Sequence, residues 1–320
     1  MGGKRVFSLF VIMSIMVKIV VTNSQDFTED QVQKLNNLGE VEYYDSLPTD
    51  GEDYLSRVKN ADIICSGTAG LKDAYSRLKD VYITVSFVSV AFVDLEVMKS
   101  NNVTISNAPG ANRYAVSEWI IGMMIMMARR FEIFLNRKET FRDNGSLPPL
   151  STGLAGQAVT VLGSGNIGLC VGKVLTAMGM EVSYFKRGDD LHDSVKNVNF
   201  VVDALGSNET TKGLLDDSFF TAMKQGSHFI TVSGSTVVDE DALLRALDND
   251  HLSGAATDCG RILVGDTEDL YYKKFLNHPK VLATPHIAYN TALSMKTGND
   301  IMISNVETWI NGTPQNVVTE

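Results

Sequence analysis

The sequence predicts an α/β protein built from two doubly wound parallel sheets. Short β-branched strands alternate with helical stretches, the alternation runs twice along the chain, and a glycine-rich turn opens the second run. The first series passes through "KIVVT", "EVEYY", "ADIICS", "VYITVSF" and "VTIS". The second passes through "AVTVLG", "EVSYF", "NFVVDAL", "SHFITVS", "SGAATD" and "KVLATP". Strands this short and this apolar belong in sheets covered on both faces.

The elements follow in order. The start, "MGGKRVFSLFVIMSIMV", has the basic head and apolar run of a secretory signal, but the run is too short for a membrane span. It leads directly into the first strand, and Met16 is a natural start for that strand. Residues 1–15 are therefore read as an N-terminal extension rather than an export signal. Thr28, with Gln31 three residues later, predicts a capped helix whose Val32, Leu35 and Leu38 share one face and which stops at Gly39. "YAVSEWIIGMMIMMARRF", residues 114–131, is apolar nearly all round and reads as a buried core or subunit-contact helix near a domain boundary. "KETFRDNGSLPPLSTGLAG" reads as a loop-like lead into the second series. "ALSMKTGNDIMISNVETWI" reads as a final helix crossing back onto the first domain.

Composition bounds the function. A chain of 320 residues, 44% apolar and 21% charged, has room for two domains of an ordinary globular kind. A formal charge of −10 argues against nucleic acid or an anionic membrane as the main partner. Cys65, Cys170 and Cys259 are unclustered, which suggests neither disulfides nor a zinc site and fits the cytoplasm. No metal-binding motif appears, so no metal is expected. Cys259 reads as a buried filler rather than a nucleophile. The acidic "DEDALLRALDND" reads as a helix whose acid-rich start complements its dipole.

The glycine turn is the first site signal. After "AVTVL" come Gly163, Ser164, Gly165, Asn166, Ile167 and Gly168, then an amphipathic helix through Met178. Gly163 permits the tight turn, Gly165 lets a pyrophosphate approach the backbone, and Gly168 lets helix and strand pack closely. The helix N-terminus adds free N–H groups and partial positive charge.

With "ISNAPGANRYAVSEW", "GLAGQAVTVLGSGNIG", "NETTKGLL", "VVDEDALLRAL", "LSGAATD" and "VLATPHIA" in this order, the chain resembles the D-isomer-specific 2-hydroxyacid dehydrogenase family from Met16 onward. The resemblance implies a flavodoxin-like substrate domain over 16–112 and 292–320 around a Rossmann NAD(P)-binding domain over 113–291. It also implies hydride transfer between NAD(P)H and a small 2-oxo acid, usually by a homodimer. Cofactor contacts are then expected at Gly163, Gly165, Asn166, Ile167, Gly168, Ser233 and Asp258. In the family the aspartate matching Asp258 holds the nicotinamide carboxamide.

At the end of the second strand of such a unit, an acid usually grips the ribose 2′-hydroxyl. Here the strand ends in Lys186 and Arg187, which suit a 2′-phosphate instead. NADP(H) is favoured and NAD(H) remains possible. The competing assignment has both cations solvated, with Asp189 or Asp190 on the ribose.

Chemistry is where the chain departs from the family. The family uses a histidine as proton donor, an arginine for the substrate carboxylate and a glutamate to orient the histidine. His286 in "ATPHIA" matches the histidine. Gly234, between Ser233 and Ser235, stands where the arginine belongs, and Arg261 where the glutamate belongs. The substrate loop, usually "GxD", has Ser89 and Ala91 at those positions. Two readings follow. In one, Arg261 has taken over the cationic role beside His286, Gly234 leaves the space, and Ser89 faces a small anionic substrate; Asp266, Glu268 and Asp269 are the candidate replacement acids. In the other, the chain is an inactive NADP(H)-binding sensor or partner protein.

Overall fold

The computed structural model describes residues 16–131, 151–259 and 265–319. The extension 1–15, most of the lead into the second series, and Arg261 lie outside them. The chain divides into two compact units: one runs to Ala108 and resumes at Gly298, and the other is Pro109–Thr297.

The first unit holds β1 (Lys18–Val21), β2 (Glu40–Tyr43), β3 (Ile63–Ser66), β4 (Tyr82–Val85) and β5 (Thr104–Ser106), all parallel in the order β2-β1-β3-β4-β5. The period of two explains both of its cores. Ile19 and Val21 face one cluster with Ile63, Tyr82, Met302 and Val306. Val20, Ile64, Ile83 and Val85 face another with Tyr54 and Leu71. Each fully buried aliphatic side chain contributes about 1.5–3 kcal/mol relative to exposure. The Thr28 capping box forms as expected: Thr28 Oγ1 accepts from Gln31 N–H, and Gln31 Oε1 accepts from Thr28 N–H at 3.0 Å. The last helix is Ala292–Ile310, and its Trp309 stacks on Tyr82 with ring centres 4.1 Å apart.

The second unit holds β6 (Ala158–Leu162), β7 (Glu181–Phe185), β8 (Phe200–Asp203), β9 (His228–Thr231), β10 (Gly254–Asp258) and β11 (Val281–Thr284). These are parallel in the order β11-β10-β9-β8-β6-β7. β8 and β10 are buried at every position, whereas β7 at the edge is half-exposed. The methionine-rich helix is Arg113–Arg129. Its Val116, Ile120, Met124 and Met127 pack with Val171 and Leu175 of the helix Asn166–Ala177. That explains an apolar helix inside a protein whose described helices are none of them long and apolar enough to cross a membrane. It stops two residues short of the sequence expectation because Arg130 turns left-handed, with φ 54°. Cys259 is buried, and burial pushes its thiol up to about 12. The acidic stretch forms the helix Glu240–Asp248, capped by Asp239.

Candidate active site

Register aligns the carboxyl ends of the second sheet. Leu162 pairs with Phe185 on one side and Asp203 on the other, Asp203 pairs with Thr231, and Asp258 with Thr284. The segments that follow carry Gly163, Lys186, Ser233, Gly234 and His286, so they share one edge of the sheet. From β6 the chain steps first to β7 on one side and later to β8 on the other. Ligands of open α/β sheets bind outside such a reversal.

The glycine turn has the shape a dinucleotide requires. Gly163 takes φ +100°, and a β-carbon there would stand 2.8 Å from the Ala204 carbonyl oxygen. A β-carbon on Gly168 would stand 1.9 Å from the Gly163 carbonyl oxygen, closer than any side chain allows. One on Gly165 would meet nothing within 4 Å, so the open space lies on that side. No side chain caps the helix Asn166–Ala177, and Asn166 and Gly165 are exposed. The turn therefore offers uncapped helix N–H groups to an anion beside Gly165.

Lys186 and Arg187 are exposed at the end of β7, and neither forms an ion pair among the described residues. Asp189 accepts from the Lys186 backbone N–H at 2.8 Å. Asp190 caps the helix Leu191–Val195 by accepting from Asp193 N–H at 3.0 Å. Both acids are occupied by backbone.

Ser233 is held by a network that sequence reasoning missed. Asp203, fully buried, accepts from Leu205 N–H at 3.1 Å and from Thr231 Oγ1 at 2.8 Å. Ser233 Oγ donates to the Leu205 carbonyl at 2.9 Å. Burial pushes the Asp203 carboxyl up to about 6, against the hydrogen bonds that favour its ionised form. The sequence signal is an acid ending the apolar run "NFVVD". At Gly234 a β-carbon would meet, among the described residues, only Thr236 Oγ1 at 3.9 Å, an ordinary contact.

His286 lies two residues past β11, half-buried, with φ +54° and its ring edge-on to Tyr289 at 5.8 Å. That left-handed conformation costs roughly 1–2 kcal/mol and needs support. Asp258 supplies it, accepting from Thr284 Oγ1 at 2.6 Å, Ile287 N–H at 2.9 Å and Ala288 N–H at 2.8 Å. Residues on both sides of His286 are thus tied to one buried carboxylate. No acid is hydrogen-bonded to the His286 ring among the described residues. Asp266 accepts from Glu268 N–H and Asp269 N–H, Glu268 pairs with Lys273, and Asp269 caps the helix Leu270–Leu276. Ser89 belongs to the first unit, exposed, its Oγ 3.5 Å from Ala91 N.

A model of the D-isomer specific 2-hydroxyacid dehydrogenase, NAD binding domain, matches residues 121–288, just over half of the chain. The chain belongs to the D-isomer specific 2-hydroxyacid dehydrogenase family. This dehydrogenase is 28% identical over 271 residues to a protein of Staphylococcus aureus (strain USA300) provisionally named a 2-hydroxyacid dehydrogenase, covering 79% of this chain and 84% of that one. Solved structures with the same fold include an acyclic imino acid reductase in complex with NADPH and D-Arg, at a TM-score of 0.79 and 20% identity over 95% of this chain and 100% of that one. A glyoxylate reductase from Paecilomyes thermophila matches at a TM-score of 0.79 and 19% identity, over 95% and 98% of the two chains. The dehydrogenase is thus a nicotinamide-dinucleotide-dependent oxidoreductase of the 2-hydroxyacid dehydrogenase type, from a family acting on small 2-hydroxy and 2-oxo acids.

Proposed function

We infer that the protein is an NADP(H)-favouring reductase of a small 2-oxo acid, with the reverse oxidation of the 2-hydroxy acid. The observation that carries the cofactor preference is the arrangement at the end of β7. Two cations there form no ion pair among the described residues, while both nearby acids accept from backbone N–H groups. Gly163, Gly165, Asn166, Ile167 and Gly168 hold the pyrophosphate in this reading, and Lys186 and Arg187 hold the 2′-phosphate. Ser233 and Asp258 line the nicotinamide end. The bound dinucleotide supplies or accepts the hydride. His286 delivers a proton to the carbonyl oxygen in reduction and removes it in oxidation. Arg261 pairs with the substrate carboxylate in place of the cation absent at Gly234. The working form is a homodimer, as the family resemblance implies, in the cytoplasm, which the unclustered cysteines favour.

That no acid is hydrogen-bonded to His286 among the described residues favours a second reading, a cofactor-binding sensor without turnover. One experiment separates the two. Purified protein with NADPH or NADH is given a panel of 2-oxo acids, and the same acids with amines to form imines, while the reduced-nicotinamide absorbance is followed. Turnover supports the reductase. Tight NADPH binding with no turnover across the panel overturns it in favour of the sensor.

A further inference from the structure

Arg113 opens the helix Arg113–Arg129, and its side chain folds back over the loop before it. One guanidinium nitrogen, Nη1, lies 3.4 Å from the Gly110 carbonyl oxygen. The other, Nη2, lies 3.4 Å from the Tyr114 hydroxyl, and the guanidinium carbon stands 4.5 Å from the centre of the Tyr114 ring. Those two hydrogen bonds are long and go to neutral oxygens. No carboxylate pairs with Arg113 among the described residues. A permanent charge with five donors is therefore held in place with most of its bonding capacity unspent.

The same point in space touches the glycine turn. A β-carbon on Gly110 would lie 3.5 Å from Arg113 Nη1 and 3.1 Å from Asn166 Nδ2. Gly110 has φ +75° and no side chain, so the Arg113 guanidinium and the Asn166 amide both lie within 3.5 Å of the place its β-carbon would take. Asn166 is the first residue of the helix that begins at the turn. The turn itself, Gly163 to Gly168, contains no charged residue, and the chain as a whole carries −10. A pyrophosphate brings two negative charges to a place where helix N–H groups alone supply a partial positive charge.

We propose that Arg113 is a ligand of the cofactor pyrophosphate, reaching it past Asn166. This rests on reading Gly163–Gly168 as the dinucleotide turn. The guanidinium exchanges two weak bonds to neutral oxygens for charge-assisted bonds to phosphate oxygens, in the fork geometry that suits them. The contact is blind to the 2′ position, which sets it apart from Lys186 and Arg187.

Dissociation constants of NADH, NADPH and ADP-ribose are measured by fluorescence titration for the parent, Arg113→Ala, Arg113→Gln and Arg113→Lys. Arg113→Ala and Arg113→Gln are expected to weaken all three by the same factor, about ten- to fiftyfold, with the NADPH-to-NADH ratio unchanged. Arg113→Lys recovers part of the loss, and the salt dependence of binding falls in the neutral variants. Affinities within twofold of the parent overturn the assignment, and a raised KM for the 2-oxo acid alone then makes Arg113 a substrate ligand. Weaker binding that appears only together with a lowered Tm also overturns it, as a structural effect. A parent that binds none of the three ligands would instead defeat the reading of the turn.

Discussion

Lys186 and Asp189 clasp each other through backbone. The Lys186 N–H donates to the Asp189 carboxylate at 2.8 Å, and the Lys186 carbonyl accepts from the Asp189 N–H at 3.0 Å. Gly188, at φ +99°, permits the tight turn between them. The acid nearest the two cations in this turn is thereby engaged, and Lys186 and Arg187 are left exposed. Replacing Lys186 and Arg187 together with serine should weaken NADPH binding by about tenfold or more and leave NADH within twofold. Equal losses for both cofactors would show that the pair only supports the turn.

The glycines of the dinucleotide turn should fail in different ways. Gly165→Ala places its methyl in open space at φ −78°, so the protein should keep the parent Tm while losing dinucleotide affinity. Gly168→Ala drives a methyl into the Gly163 carbonyl 1.9 Å away. It should cost about 1–3 kcal/mol of stability or more, read by urea unfolding without ligand. Equal stability of the two variants would refute this division.

Asp258 and His286 should separate by the quantity they change. His286→Asn should remove turnover and leave cofactor affinity near the parent's. Asp258→Ala leaves the N–H groups of Ile287 and Ala288 without their acceptor. It should lower kcat, and it should lower stability by about 2–3 kcal/mol. Wild-type kcat in Asp258→Ala would mean that the His286 loop holds its shape unaided.

Two buried groups give opposite pH dependences. His228 stacks on Phe200 at 5.0 Å, and burial lowers its pKa from 6.5 to about 4. Its folded pKa is depressed, so the unfolded chain binds more protons between those values. Stability is complete above 6.5 and falls as pH drops toward 4. Asp203 is raised from 3.8 to about 6, so its contribution is complete below 3.8 and is lost as pH rises through 6. His228→Phe should flatten the acid-side loss, and Asp203→Asn should stabilise the protein at pH 7 by about 1–3 kcal/mol. Urea unfolding from pH 4 to 8 reads both slopes, and a His228→Phe profile parallel to the parent's would contradict the first.

The relocated cation is tested by a cycle on kcat/KM with one 2-oxo acid that the parent turns over. Arg261→Ala should cost about 2–5 kcal/mol of transition-state stabilisation while cofactor affinity holds. Gly234→Arg with Arg261→Glu should raise activity more than either change alone, since Gly234 accepts a β-carbon without a close contact among the described residues. A fully active Arg261→Ala would sink the relocation.

What was legible in the sequence was whatever depends on local pattern. Strands such as Ile63–Ser66 and Phe200–Asp203 announce themselves because a strand buried on both faces must be apolar throughout. The Thr28 cap, the final helix and the glycine turn were readable for a related reason: each is decided within a few neighbouring residues. The family followed from several such motifs in order. The roles of individual acids were not readable. Asp189, Asp190, Asp266 and Asp269 look alike as letters, yet each is spent on a nearby N–H. Asp258 is 29 positions before Ile287 and still decides the backbone around His286. Asp203 bonds Thr231 28 positions away, and the Arg113 and Asn166 side chains both approach Gly110. Only tertiary structure settles those meetings, because parallel strands joined by crossovers place distant strand ends side by side. A buried carboxylate then takes whichever donors that arrangement leaves within 3 Å or so, since an unpaired one would cost several kcal/mol.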